Sequence, residues 1–159
     1  MSQRTLIQGN CIDTSALIDL RNRFYPPDIF ESLWRDIEDL IKQGLLIAPQ
    51  EVYDEISRKD DELLEWARRF KFMFENLDPL QSGEAKRVMA DFPNLVDPSK
   101  QIPDADPFVI ALAKTKNWKV ITSEKPGSQI HPKIPDACRR YGISCLSLIE
   151  FFRECGFKY

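Results

Sequence analysis

Residues 102–126 read IPDADPFVIALAKTKNWKVITSEKP. The apolar helix pattern DPFVIALAKTK runs straight into KVIT, a short apolar run of strand type. Asp104 and Asp106 stand at the mouth of the helix, and Glu124 lies just past the strand. A helix feeding a short strand with an apolar centre is half of a parallel βαβ unit.

The same alternation extends in both directions. Upstream, LIQGNCI reads as a first strand ending at Ile12, followed by Asp13 and the helix start TSALIDL. The pair Pro26-Pro27 stops that helix. Asp28 is expected to cap DIFESLWRDIEDLIKQ, with Ile29, Leu33, Ile37, Leu40 and Ile41 on one side and Gly44 closing it. LLIA is a buried strand, and Pro49 is expected in the first turn of the helix PQEVYDEISRK. A longer helix is predicted over 60–74, a shorter one over 83–92, and a loop over PNLVDPSKQIP. Downstream, IPDACRRYG, ISCL and SLIEFFREC read as helix, strand and helix. The fold class predicted is α/β: three α/β/α layers around a mainly parallel sheet of about four to five strands. The 159 residues suit a single domain, 1–159. The helices over roughly 60–92 form an insert within it.

Composition sets the remaining bounds. With 43% hydrophobic and 30% charged residues the chain is globular, and its net charge of −3 gives no overall pull toward nucleic acid; local patches decide that. No apolar run approaches the ~18–20 residues of a membrane span. The first residues lack a secretory h-region, so the cytoplasm is the expected location. Cys11, Cys138, Cys145 and Cys155 form no CxxC pair and the chain has one histidine, His131. Zinc-site spacing is therefore absent, and the thiols are expected to be reduced and mostly buried.

The acids carry the chemistry. In open parallel sheets ligands bind outside the carboxyl ends of the strands; Asp13 and Glu124 directly follow two predicted strands. On PQEVYDEI, at about 100° per residue, Val52, Tyr53 and Ile56 define the inward side, and Glu55 projects about 60° from Val52, nearer the core than Glu51 or Asp54. Each acid also has a structural explanation. Asp106 before Pro107 has the form of an N-cap followed by a first-turn proline, Asp13 fits a cap of TSALI, and Glu55 and Glu124 fit solvated surface acids. Together, however, these acids fall at the ends of apolar elements without basic neighbours in sequence. Clustered carboxylates raise one another's pKa, and a hard divalent cation with oxygen ligands relieves that cost.

Four pieces in order, CIDTSALIDL, APQEVYDEI, DADPFVIALA and VITSE, resemble the PIN domain, the small metal-dependent ribonuclease fold of VapC-type toxins. The tail KIPDACRRYGISCLSLIEFF and the insert after Glu55 look most like an uncharacterised PIN-like subfamily often paired with a helix-turn-helix antitoxin. The resemblance places the family's four acids on Asp13, Glu55, Asp106 and Glu124, with Ser15 as the small polar residue after the first. It implies Mg²⁺ or Mn²⁺ held mainly by Asp13 and Asp106, with Glu55 and Glu124 completing the shell. The ions would activate a water and stabilise charge on a phosphodiester. Two departures stand out: Glu124 replaces the usual aspartate, and Asp104 is an extra acid that competes with Asp106 as ligand. Ser15, which could hold a water or a phosphate oxygen, and Arg21, Arg23 and Lys125 are the candidates for substrate contacts. Phe72 beside Arg68 and Arg69 fits a base-stacking or partner face, or a solvated charged face with one stray aromatic. The partners implied are an RNA substrate, an antitoxin encoded by an adjacent gene and a second copy of the chain in a homodimer; a membrane is not among them. A PIN-like binding module without catalysis is the alternative. A DxDxT phosphatase ranks last, because CIDTSAL lacks the second aspartate.

Overall fold

A computed structural model describes residues 8–97, 99–100 and 104–159. The elements are β1 (Asn10–Ile12), α1 (Thr14–Ile18) running on into a π-helical turn (Asp19–Phe24), α2 (Glu31–Lys42), β2 (Leu46–Pro49), α3 (Gln50–Lys59), α4 (Asp61–Arg69), a 3₁₀ turn (Lys71–Met73), β3 (Phe74–Glu75), α5 (Pro79–Asp91), α6 (Asp106–Lys116), β4 (Lys119–Ile121), α7 (Ile134–Tyr141), β5 (Cys145–Leu146) and α8 (Leu148–Cys155). The five strands form one parallel sheet in the order β3-β2-β1-β4-β5. With the right-handed crossovers that parallel strands adopt, this order puts the helices between β1 and β3 on one face and those between β3 and β5 on the other, in a three-layer α/β/α fold.

The strands are short and buried on both faces, as parallel strands under helices must be. Cys11 sits opposite Ile47 on one side and Val120 on the other, and all three are buried. Helix α6 is apolar on nearly every side: Val109, Ile110, Ala111, Leu112 and Ala113 are all buried. Its alanines let it lie close between α5 and the sheet. Opposite it, Trp34 of α2 and Trp66 of α4 meet edge to face at 5.4 Å. Among the described residues no helix is long and apolar enough to cross a membrane, and all four cysteines are free.

Five expectations are corrected. The stretch 60–74 is not one helix: α4 stops at Arg69, and Phe74 and Glu75 form β3 against Ala48 and Pro49. The insert over 60–92 is therefore not all helical. Leu63, Ala67, Phe70 and Phe74, which fall at helical spacing in the sequence, are all buried and Phe72 is exposed; strand pairing, which the spacing does not show, decides the conformation. Helix α2 begins at Glu31 with Phe30, not Asp28, as its N-cap, because Ile29 and Phe30 both donate to the Pro26 carbonyl in a turn. Ile29 is consequently 71% exposed. Helix α5 begins at Pro79, ahead of the expected start at Gly83, and Asp78 and Gln81 form a reciprocal capping box there. Pro49 ends β2 as the N-cap of α3 instead of lying in its first turn. The N-cap of α6 is Ala105, with Asp106 as its first residue and no side-chain cap. The start of LIQGNCI and part of PNLVDPSKQIP lie outside the described residues.

Ile29 and Ile121 separate the sequence pattern from the structure. Ile121→Ala, at the fully buried end of β4, is expected to cost about 2–5 kcal/mol. Ile29→Ala is expected to stay within about 0.5 kcal/mol of the parent. Urea unfolding midpoints of the two variants check this.

Candidate functional site

Strand order places the site. The chain steps outward from β1 to β2 and β3, then returns to the other side of β1 as β4. The connections beyond the carboxyl ends of β1 and β4 diverge, leaving the crevice at which open α/β sheets bind ligands. Asp13 follows β1; Thr122, Ser123 and Glu124 follow β4. A groove of about 540 Å³ opens there, with Asp13, Glu55, Asp104, Asp106 and Glu124 all on its walls. The sequence-predicted acids are thus brought together.

Each acid is held differently. Asp13 is 1% exposed. Its Oδ1 accepts from the Ala16 amide at 2.8 Å, capping α1 as the sequence suggested, and lies 2.9 Å from the Ser15 hydroxyl. Its Oδ2 accepts from the Thr122 hydroxyl. The Ser15 oxygen in turn accepts from the Ser123 amide at 3.2 Å, and the Thr122 oxygen from the Glu124 amide at 3.0 Å. Two short relays therefore join the ends of β1 and β4.

Glu55 is 8% exposed, on the buried side of α3 as its helical angle implied. Its Oε1 accepts from the Thr14 hydroxyl at 3.0 Å and from the Ala105 amide at 3.1 Å. Its Oε2 lies 3.4 Å from Lys59 Nζ. Glu124 Oε2 accepts from the Ile134 amide at 3.0 Å, so the longer side chain ties the end of β4 to the first turn of α7. Asp104 pairs with Lys100 at 2.7 Å and accepts from the Asp97 amide at 2.9 Å. Among the described residues, nothing hydrogen-bonds to or pairs with the Asp106 carboxylate. The capping explanation for Asp106 therefore fails, and the choice the sequence left open between Asp104 and Asp106 acquires a structural asymmetry.

The electrostatics follow from this packing. Burial pushes Asp106 from its ordinary 3.8 up to about 8, helped by the like charges of Glu124, Asp13, Glu55 and Asp104. Burial also raises Asp13, to about 7, against hydrogen bonds from Thr122, Ala16 and Ser15 that hold it down. The donor set is all oxygen, which fits a hard divalent cation. As they stand, no three acidic, histidine or cysteine side chains among the described residues are grouped closely enough to hold an ion.

The candidate cations divide. Arg23 lines the groove while paired with Asp19. Arg21 lies over the Trp34 and Trp66 rings, 4.8 and 5.3 Å from their centres, and is not on the groove wall. Lys125 is exposed beside a neighbouring cavity. Lys59, Lys100 and Lys133 also line the groove, and the sequence reasoning missed all three. Lys59 alone had a signal, four residues after Glu55 on one helix face. It also missed Thr14 and Thr122, the hydroxyls that fix Glu55 and Asp13; both lie beside the acids in the motifs DTS and TSE.

A family model described as a domain of unknown function, DUF4411, matches residues 10–159, so the chain belongs to that family. No curated protein matches it.

The raised carboxyls set the sign of the pH response without divalent ions. A carboxyl whose folded pKa exceeds its unfolded value binds protons in the native state that the unfolded chain has already released. Stability is then full below about pH 4 for these two groups and falls as pH rises through about 7 and 8. Melting in EDTA is expected to shift down between about pH 5.5 and 8.5, and Asp106→Asn to flatten that slope. An unchanged slope in the variant contradicts the burial of this charge.

Proposed function

We propose that this DUF4411 protein is a divalent-metal-dependent endoribonuclease with a PIN-like site, acting in the cytoplasm as the toxin of a toxin–antitoxin pair. The observation that carries the reading is Asp106. It is a half-buried carboxyl whose pKa is raised by loss of solvent and by neighbouring acids, without a hydrogen-bond or ion-pair partner among the described residues, in a groove shared with five more acids. Asp13, Glu55, Asp104 and Glu124 each hold part of the framework through hydrogen bonds or ion pairs, and Asp106 does not. The sheet-edge position and the resemblance of the four motifs to PIN domains support the same conclusion.

Asp13 and Asp106 would hold Mg²⁺ or Mn²⁺, with the free oxygen of Glu124 beside them. A bound ion of this kind supplies Lewis acidity and an activated water. Asp13 also keeps β1 and β4 in register at the site through Thr122 and Ser15. Glu55 is a positioning residue: it holds the Ala105 amide and so fixes the backbone from which Asp106 projects. Lys133 and Arg23 face the groove where a phosphodiester backbone would lie. This sets positive charge beside the acids despite the overall negative chain.

One observation favours a second reading, a catalytically inactive RNA- or protein-binding module. Lys59 and Lys100 already neutralise Glu55 and Asp104, and no three ligands converge among the described residues. Cleavage separates the two. With Mn²⁺ and single-stranded RNA of mixed sequence, Asp13→Asn and Asp106→Asn are expected to lower the initial rate about a hundredfold or more. Circular dichroism should stay unchanged, because Asn at position 13 can still cap α1 and Asp106 makes no cap to lose. Asp104→Asn should cost less, since its carboxylate serves Lys100 and the Asp97 amide. Mn²⁺ is expected to raise the melting midpoint of the parent but not of Asp106→Asn. RNA bound without cleavage, equally in parent and variants, supports the binding module.

The toxin role has its own test. Expression of the chain alone is expected to slow growth, and co-expression of the adjacent gene to restore it. Normal growth at high expression, with no co-purifying neighbour product, sinks the toxin assignment while leaving the nuclease chemistry open to the cleavage assay.

A further inference from the structure

A second cavity, of about 610 Å³, adjoins the acidic groove and shares Asp19, Ser123 and Glu124 with it. Its character is different. Phe24, Tyr25, Pro135, Leu146, Leu148 and Ile149 line it. The polar groups at the start of α8 are already satisfied, because Ser147 and Glu150 cap each other. The walls are mainly apolar, with Lys125 among the charged residues that line them. Its volume lies within the range of small-ligand sites.

The two aromatics differ in a way that core packing does not explain. Tyr25 is fixed edge to face against Phe30 and Phe152 at 5.2 and 5.1 Å, and its carbonyl accepts from the Trp34 indole. Phe24 has no ring partner among the described residues and is 55% exposed. It ends the π-helical turn Asp19–Phe24, and single π turns within helices are frequent at functional sites. This turn puts Arg23 on the groove and Phe24 on the cavity, two consecutive side chains on two adjoining surfaces. Ile149, 44% exposed, lines the same cavity.

We infer that this cavity is a nucleobase subsite, in which a base of single-stranded RNA stacks on Phe24 while the neighbouring phosphodiester lies in the acidic groove. The inference rests on the ribonuclease reading of that groove. A nucleotide is the ligand whose two halves match the two surfaces: a planar, weakly polar base for an apolar cavity with a free aromatic face, and an anionic linkage for a groove that carries Arg23 and Lys133. Stacking on an aromatic tolerates every base but favours the larger ones, so the cavity would set a preference at one position beside the cut.

Binding and cleavage test it separately. The four nucleosides and their 5′-monophosphates are titrated into the full chain in EDTA, with backbone amide shifts as the readout. At least one nucleoside is expected to saturate, with shifts concentrated at residues 122–125 and 145–150. Phe24→Ala is expected to weaken it by about fivefold or more. No saturable binding, equal binding by Phe24→Ala, or shifts confined to other regions overturns the inference. A cavity that serves an apolar side chain of a protein partner leaves nucleosides unbound, which is that same overturning result. In cleavage of RNAs differing only in one base beside the cut, the parent is expected to show a preference that Phe24→Ala loses. Cleavage with no preference in the parent and no nucleoside binding leaves the nuclease standing and removes the subsite. Nucleosides bound at the cavity of a chain that cuts no RNA support the subsite and remove the nuclease.

Discussion

The Asp13 carboxylate is the constraint on which the site depends. It sits where the sheet reverses its direction of growth, between the ends of β1 and β4, with almost no solvent access. Two hydroxyls and one amide surround it, and those groups reach on to Ser123 and Glu124. A buried carboxylate costs free energy unless its oxygens are satisfied. Here the hydrogen bonds lose to burial, since the carboxyl still rises from 3.8 to about 7. The fold thus holds Asp13 in place more firmly than it solvates the charge.

The remaining acids divide the work. Glu55 joins α3 to Thr14 and to the start of α6; Glu124 joins β4 to α7; Asp104 gathers Lys100 and the Asp97 amide. Each of these carboxylates connects two parts of the chain that approach the sheet edge from different directions. Asp106 connects nothing among the described residues. Partial loss of solvent and the like charges of Glu124, Asp13, Glu55 and Asp104 raise its pKa.

Much of this was legible in sequence because the strongest signals were local. Helix α6 and strand β4 are apolar over most of their lengths, and the acids at their ends fall where parallel-sheet geometry requires. The helical angle of Glu55 was enough to select it over Glu51 and Asp54. What was misread depended mostly on distant partners. Phe74 and Glu75 become a strand only because Ala48 and Pro49 offer an edge, and nothing within 60–74 signals that edge. Asp106 before Pro107 has the local form of a cap, but the helix takes Ala105 instead and releases the carboxylate to the groove. The start of α5 is a different case, because its signal is local. Asp78, Pro79 and Gln81 spell out a capping box with a first-turn proline, whereas Gly83, where the sequence reading begins the helix, lies inside it. A glycine marks a helix end poorly when a proline and a cap precede it by one turn.

The charge balance of the groove limits what can neutralise its centre. Lys59 and Lys100 are committed to Glu55 and Asp104, and Arg23 to Asp19, while Lys133 lines the groove but pairs with neither Asp13 nor Asp106. Asp13 and Asp106 therefore look to protons or to an ion from solution. With carboxyls near 7 and 8, protons occupy much of that position at neutral pH, and the proposed divalent ion would have to displace them. Metal binding at such a site releases protons and strengthens as pH rises. The same two groups that lower the stability of the metal-free chain at high pH would there make the metal-bound chain more stable. One packing feature, the withdrawal of Asp13 fully and Asp106 partly from water at a strand-reversal point, thus links the stability of the fold to the ion on which the proposed chemistry depends.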